Sequence, residues 1–190
     1  MNWILASGSP RRRELLEMLG VPDLTIRPAK GPERATPGAG PEQTVRELAL
    51  HKAQEVAQTC APEDIVIAAD TIVYLDGAIL GKPKDTADAA RMLAALSGRE
   101  HTVYTGVAVL RGGETRLAAE RTAVRFRTLT PEEIARYIAT GEPMDKAGAY
   151  GIQGRGALFV AHLDGDYFNV MGLPLCRLGQ LLNELGVELL

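Results

Sequence analysis

The chain has 190 residues, 46% of them hydrophobic and 24% charged, which is the balance of a globular protein with one sizeable domain or two small lobes. The net charge of −3 excludes a global basic field for duplex DNA or an anionic membrane, so any site for an anion must be local. Cys60 and Cys176 lack the spacing of a metal-binding or redox pair, and we expect two reduced thiols.

No apolar run approaches the length of a membrane span. The first residues also lack the basic start and the long apolar stretch of a secretion signal. We therefore expect a soluble cytoplasmic protein that has no membrane partner and no stable nucleic-acid partner.

Short apolar segments alternate with amphipathic ones, which predicts an α/β fold. Strands are predicted at residues 3–6, 65–75, 101–110, 115–127 and 158–163, and helices at residues 11–19, 42–58, 85–96, 131–140 and 173–185. Four prolines predict a loop at residues 28–41, and four glycines predict another at residues 145–156. Because a hairpin turn joins the third and fourth strands, we expect a mixed sheet.

The first strand runs directly into a turn of small residues, and three arginines then open the first helix. Such a turn, with Ser7 before it and Ser9 as the N-cap, points backbone N–H groups at an anion. Cations at this end of a helix dipole are unfavourable by about 0.3–1 kcal/mol each where they are exposed. A bound polyphosphate reverses that penalty, so we assign Arg11 and Arg12 to an anionic ligand. A solvated basic helix end paired with nearby glutamates is the alternative, and for Arg13 both interpretations stay open.

Asp70 interrupts the apolar strand predicted at residues 65–75. Period-two alternation places it on the same face as Val66, Ala68 and Ile72. A carboxylate in such surroundings must pair with a cation, bind a metal or be neutral. A metal site or a poised general base satisfies this requirement best, and an exposed strand end is the alternative.

Three further features carry weaker signals. Lys52 lies on the apolar stripe of its helix, where it either snorkels to the surface or reaches an anion in a cleft. Lys82 stands in a Gly-Lys-Pro turn that would hold it in place, although the chain has no P-loop. Gln153 lies among the glycines of residues 145–156, which suit close approach to a ligand or merely a mobile loop, and its amide could read a base edge.

Together these segments resemble the Maf family of nucleoside triphosphate pyrophosphatases. The resemblance rests on five motifs in register: residues 6–12 (ASGSPRR), 52–53 (KA), 69–71 (ADT), 81–83 (GKP) and 150–154 (YGIQG). It continues through residues 165–174 and so covers almost the whole chain. It implies a Maf/ITPase-like α/β fold, with two lobes around an elongated mixed β-sheet, flanking helices and a central cleft, formed as a single domain over residues 1–190.

The same resemblance implies hydrolysis of a nucleoside triphosphate to its monophosphate and diphosphate, with a divalent cation, Mg²⁺ or Mn²⁺. The pairs Asp70-Thr71 and Ile152-Gln153 are similar to the branch of the family that acts on dTTP and UTP. By that similarity the substrate-binding residues are Ser7, Ser9, Arg11, Arg12, Thr71 and Gln153, and the catalytic residues are Asp70, Lys52, Lys82 and Glu33. Arg11, Thr71 and Gln153 would set base specificity, and Asp70 would be the proton acceptor.

Glu33 rests on the resemblance alone. The family usually carries an Asp-Glu pair in the loop after the second strand, where this chain has Pro32-Glu33. The glutamate is retained, and we assign it to the metal together with Asp70.

Two other functions stay open from the sequence. One is a nucleotide-sensing regulatory protein of cell division without significant catalysis, since the Maf name is tied to septum formation. The other is a pyrophosphatase that acts on 7-methyl-GTP, although that branch of the family differs from this chain at the glutamine-bearing segment. The resemblance also implies a homodimer.

Overall fold

The computed structural model describes every residue from 1 to 190. It contains six α-helices: α1 (Pro10–Met18), α2 (Pro41–Ala57), α3 (Thr86–Leu96), α4 (Pro131–Ile138), α5 (Tyr167–Met171) and α6 (Leu175–Asn183). Its seven strands are β1 (Trp3–Leu5), β2 (Thr25–Ile26), β3 (Ile65–Leu75), β4 (Ala78–Leu80), β5 (Glu100–Arg111), β6 (Glu114–Phe126) and β7 (Val160–Asp164). Three short 3₁₀ helices cover Glu142–Asp145, Ala147–Ala149 and Arg155–Phe159. No helix is both long enough and apolar enough to cross a membrane.

All predicted strands and helices are present, and β3 has the predicted bounds. The loop predicted at residues 145–156 is wrong in part, because 3₁₀ turns occupy part of it, and Gly148 lies inside the turn Ala147–Ala149 with a φ of +67°. The turn Arg155–Phe159 also delays the last strand to Val160. The very short strands β2 and β4 and the helix α5 had no sequence signal, since two to five residues cannot display a period.

The seven strands form one sheet in the order β2-β1-β3-β5-β6-β7, with β4 paired to β3. Strand β1 pairs in parallel with β2 and β3, whereas β3–β4 and β6–β7 are antiparallel. The predicted α/β class with a mixed sheet is therefore confirmed.

The contacts within the chain define two compact units. Unit 1 comprises Met1–Asp70, Thr105–Glu120 and Gly172–Leu190, and unit 2 comprises Thr71–Tyr104 and Arg121–Met171. One boundary falls between Asp70 and Thr71, inside strand β3. The catalytic and specificity residues expected from the sequence are thus divided between the two units.

In unit 1, helix α2 packs against the sheet through small side chains. Pro41 stands at its first turn and Glu42 complements the positive end of its dipole. Its buried face joins a core cluster in which alanines predominate, made of Ile4, Ala6, Ala49, Ala53, Val56, Val66, Ala68 and Ala108. Small residues on both sides allow the helix to approach the sheet closely. This short distance determines which residues of the sheet the longer side chains of α2 can reach.

Gly106 on β5 marks the tightest point of this approach. A Cβ atom at this position would overlap the backbone of α2, at the carbonyl group of Val45 and the nitrogen of Arg46. Backbone atoms cannot swing aside as a flexible side chain can, so any larger residue would have to displace the helix.

We expect Gly106→Ala to lower the free energy of unfolding by about 1–3 kcal/mol, because the added methyl group overpacks this contact. Gly179 is a suitable control, since it lies inside α6 with open space around it. Gly179→Ala should raise the free energy of unfolding by about 0.5–1 kcal/mol, because alanine is the better helix former. Urea unfolding of both variants measures the difference, and equal values for the two would contradict the close contact.

Unit 2 is built around a cluster of edge-to-face aromatic rings. Phe126 lies 4.7 Å from Tyr150 and 5.0 Å from His101 between ring centroids, and Phe159 lies 4.8 Å from Tyr137. The Nε2 atom of His101 is 2.8 Å from the hydroxyl of Tyr150. Burial lowers the pKa of His101 to about 4, so its ring is neutral at neutral pH. This buried cluster includes Tyr150, which lies within the glycine-rich segment of residues 145–156.

Candidate active site

Ser7 and Ser9 shape the turn between β1 and α1. The N–H of Ala6 donates to the carbonyl of Ile67 at 2.8 Å, which keeps the chain paired with β3 up to the turn. The buried hydroxyl of Ser7 then accepts the N–H of Ser9 at 3.2 Å. Ser9 occupies the N-cap position as predicted, with Pro10 first in the helix, but its hydroxyl makes no capping hydrogen bond.

Arg12 is half-buried and held at two points. Its Nε donates to the carbonyl of Gly172 at 2.7 Å, and its Nη1 donates to the Oγ of Ser7 at 3.0 Å. Burial lowers the pKa of Arg12 to about 10, while the charges of Asp70 and Glu33 act in the opposite direction. The guanidinium therefore stays charged at neutral pH and lies within electrostatic reach of both carboxylates.

The three arginines of α1 differ in their surroundings. No acidic residue offsets them in the first turn of the helix. Arg13 is exposed and pairs with Glu17 at 2.7 Å, and this hydrogen bond raises its pKa. Arg11 is half-buried, and its charge contributes to the lowered pKa of Arg12. The interpretation as a solvated basic helix end paired with a glutamate thus fits Arg13, whereas Arg11 and Arg12 form a close pair of positive charges.

The ammonium group of Lys52 bridges two carboxylates. Its Nζ lies 2.5 Å from Oδ1 of Asp70 and 2.7 Å from Oε1 of Glu33. The side chains of Lys52 and Asp70 are only 21% and 12% exposed, so Lys52 reaches an anion instead of snorkelling to the surface. Glu33 approaches from the proline-rich loop and is 62% exposed.

The fold explains why this lysine and this aspartate meet. Asp70 follows Val66 and Ala68 on the face of β3 that α2 covers, and Ala49 and Ala53 hold the helix close to that face. Asp70 is buried, so an exposed strand end is excluded. A buried ion pair contributes little net stability, because desolvation of both groups offsets their attraction. Stability alone therefore does not explain the presence of this ion pair.

The donor set of this cluster suits a hard cation. No group of three or more His, Cys, Asp or Glu side chains converges as a complete metal cage. Asp70 and Glu33 nevertheless converge on one position, which the positively charged Nζ of Lys52 occupies. Mg²⁺ usually takes only one or two carboxylates from a protein and completes its shell with water and substrate phosphates. Two carboxylates fit that requirement.

The remaining expected site residues lie in unit 2. Thr71 is half-buried on β3, Lys82 is exposed between β4 and α3, and Gln153 is exposed in a turn before the last 3₁₀ helix. The N–H of Gly148 donates to the carbonyl of Gly81 at 3.1 Å, so the Gly-Lys-Pro turn is tied to the glycine-rich segment.

One contact of Arg12 could not be predicted from a local pattern in the sequence. The carbonyl of Gly172, which orients Arg12, belongs to the main chain and lies 160 positions further along the sequence. Only the extended Gly-Leu-Pro motif at residues 172–174 marks the place.

Comparison with known proteins identifies the family. The model of the Maf-like protein family matches residues 2–185 of this chain. The chain belongs to the Maf family. A dTTP/UTP pyrophosphatase of Moorella thermoacetica is 56% identical over 187 residues, which cover 97% of this chain and 95% of the relative. A dTTP/UTP pyrophosphatase of Symbiobacterium thermophilum is 53% identical over 183 residues, which cover 96% of this chain and 93% of the relative.

Among solved structures, a HAM1 protein from Coxiella burnetii aligns with a TM-score of 0.50 at 16% sequence identity. The alignment covers 97% of this chain and 99% of the HAM1 protein. At that identity the likeness concerns the fold alone, and it confirms the Maf/ITPase-like fold class.

Proposed function

We propose that this Maf-family chain hydrolyses dTTP and UTP to the nucleoside monophosphate and diphosphate. The observation that carries the proposal is the bridging of Asp70 and Glu33 by Lys52, with the charged Arg12 within electrostatic reach. Both relatives described above bear the name dTTP/UTP pyrophosphatase and match over almost their full length, which supports this substrate class.

In the proposed reaction, a water oxygen bonds to the α-phosphorus while the bond from that phosphorus to the α–β bridging oxygen breaks. Diphosphate leaves with that oxygen, and the carboxylate of Asp70 accepts a proton from the water. Reactions of this kind depend mainly on positioning and on offsetting negative charge. Arg12 and Lys52 in unit 1 and Lys82 in unit 2 are the cations assigned to phosphate oxygens.

We propose Asp70 and Glu33 as the residues that hold a divalent cation, Mg²⁺ or Mn²⁺. When bound, such a cation would offset phosphate charge and acidify a coordinated water. The proposal rests on the two carboxylates that converge on the Nζ of Lys52. Hydrolysis should therefore stop when the cation is removed with EDTA and return when Mg²⁺ or Mn²⁺ is added back.

Selection of the base is assigned to Arg11, Thr71 and Gln153. An amide such as that of Gln153 offers both N–H donors and a carbonyl acceptor, so it can pair with the edge of a uracil or thymine ring. A site that hydrogen-bonds its substrate rejects analogues that leave its polar groups unpaired.

A nucleotide panel tests the proposed function. Release of diphosphate is measured from dTTP, UTP, CTP, ATP and 7-methyl-GTP, each with Mg²⁺ and with Mn²⁺. The expected result is preferred turnover of dTTP and UTP. Preferred turnover of 7-methyl-GTP would refute the pyrimidine preference, and stoichiometric binding without release of diphosphate would identify a nucleotide sensor instead.

Arg12→Gln is expected to raise the KM for dTTP by about tenfold or more, because a guanidinium–phosphate interaction is a strong, charge-assisted one. Arg13→Gln is the matched control, since Arg13 adjoins Arg12 in α1 but pairs with Glu17 in solvent. Its KM should stay close to that of the unmodified enzyme. Similar KM values for the two variants would contradict the assignment of Arg12 to phosphate binding.

We further propose that the protein works in the cytoplasm as a homodimer and that its activity is linked to septum formation. Cys60 and Cys176 are both free thiols, which suits a reducing compartment. Light scattering coupled to gel filtration will give the mass in solution, and a mass of one chain would exclude the dimer.

A further inference from the structure

The turn that carries Gln153 is wrapped around the carboxylate of Glu142. Oε2 of Glu142 accepts the N–H of Arg155 at 2.9 Å, and Oε1 accepts the N–H of Gly156 at 3.1 Å. The two glutamate oxygens thus hold the chain at the second and third residues after Gln153. All of these residues belong to unit 2.

The same carboxylate also holds the chain before Gln153, through Tyr137. The hydroxyl of Tyr137 donates to Oε1 of Glu142 at 2.8 Å and accepts the N–H of Gly151 at 3.1 Å. The ring of Tyr137 is buried against Phe159, so this hydroxyl cannot move freely. One glutamate therefore anchors the main chain on both sides of Gln153.

Gly154 shows how tightly the turn encloses the carboxylate. A Cβ atom at Gly154 would overlap the carboxylate of Glu142, so a larger residue next to Gln153 would require that carboxylate to shift. Burial acts to raise the pKa of Glu142, but hydrogen bonds from Arg155, Gly156 and Tyr137 outweigh it and the pKa is lowered. The group is thus ionised and accepts hydrogen bonds only, as three converging donors require.

We propose that Glu142 is a positioning residue for Gln153 and that it sets discrimination between nucleobases without touching the substrate. This inference rests on the proposed function, in which Gln153 reads the base. The amide of Gln153 can favour one base only if its main chain is fixed, and Glu142 is the group on which that turn is fixed.

The test is the substitution Glu142→Gln, which keeps the size of the side chain but presents an NH₂ donor to groups that are themselves donors. The ratio of kcat/KM for dTTP to kcat/KM for dCTP is measured. We expect this ratio to fall by about tenfold, the effect of one mispositioned hydrogen bond. The change should lie in KM for dTTP, with kcat little altered, because the proposed reaction assigns the proton transfer to Asp70 and assigns only base selection to Gln153.

Glu133→Gln is the matched control for a purely structural effect. Glu133 also accepts a backbone N–H, that of Thr130 at 3.0 Å, and pairs with Arg127 at 2.7 Å, so its loss perturbs unit 2 without removing a hydrogen bond of Glu142. The substitution Glu133→Gln should lower the thermal midpoint of unfolding and leave the dTTP/dCTP ratio unchanged. If Glu142→Gln lowers turnover of both nucleotides equally, its role is structural and the proposal is overturned.

Gln153→Ala separates this proposal from the proposed function. If Gln153→Ala leaves the dTTP/dCTP ratio unchanged, Gln153 does not read the base and both assignments fail. If Gln153→Ala lowers the ratio and Glu142→Gln does not, only the positioning role fails. The double variant Glu142→Gln, Gln153→Ala should have the same dTTP/dCTP ratio as Gln153→Ala alone. A further fall in this ratio would show that Glu142 does not act through Gln153.

Tyr137→Phe provides a second route if Glu142→Gln fails to fold. It removes only the hydroxyl that links Glu142 to Gly151 and keeps the packed ring. We expect the dTTP/dCTP ratio to fall by about threefold, because one of the anchors of the turn is lost. An unchanged ratio in a folded Tyr137→Phe protein would count against the proposal.

Discussion

Asp70→Asn is expected to leave the chain folded and to lower kcat for dTTP by roughly 10²–10⁴-fold. Asparagine has the shape of aspartate, and its Oδ1 can still accept the hydrogen bond from Lys52. It cannot take up a proton from water, and it is a much weaker ligand for a divalent cation. Steady-state release of diphosphate at saturating dTTP measures the loss.

Asp64→Asn is the matched control for this prediction. Asp64 is also buried in unit 1 and directly precedes β3, but its carboxylate accepts N–H groups of Asn2 and Ala61. Its replacement should lower the thermal midpoint of unfolding and leave kcat little changed. If Asp70→Asn released diphosphate at nearly the normal rate, Asp70 would not be the proton acceptor.

Lys52→Met is expected to lower kcat/KM for dTTP by roughly 10²–10³-fold. The substitution removes one of the positive charges assigned to the phosphate oxygens and leaves Asp70 and Glu33 without their ion-pair partner. Methionine retains most of the aliphatic stem and therefore the packing of α2. Initial rates across a range of dTTP concentrations give both kcat and KM.

Lys30→Met removes an exposed lysine of the same unit and controls for the loss of one positive charge. It should leave kcat/KM close to normal. The double variant Asp70→Asn, Lys52→Met should cost much less than the product of the two single losses, because the groups contact each other and act as a unit. Independent, multiplicative losses would indicate that the observed ion pair has no part in the reaction.

The sequence was most informative where residues conflict with local stability. Arginines at the positive end of α1 and an aspartate inside the apolar strand β3 both predicted function, because neither is a choice that folding alone would favour. Lys52 was ambiguous, since a lysine on an apolar stripe reaches either solvent or a buried anion. Only the three-dimensional distance to Asp70 decides between them.

Other parts of the site could not be derived from local patterns. Glu33 lies exposed in a proline-rich loop that has no periodicity, so only the family resemblance pointed to it. Glu142 has no motif of its own, because its role depends on main-chain N–H groups of residues that follow it by more than ten positions. The roles of the site residues and the single domain over residues 1–190 stay predictions.

The close contact of α2 with the sheet has a consequence for natural variation in this protein. Val45, which meets Gly106, precedes Lys52 by about two helical turns on the same rigid helix. We therefore expect a methyl group added at Gly106, Ala49 or Ala53 to push α2 away from the sheet and to lengthen the distance from the ammonium group of Lys52 to Asp70. Activity can be lost in this way while every charged residue is retained, so a comparison of polar residues alone would misclassify such a chain as active.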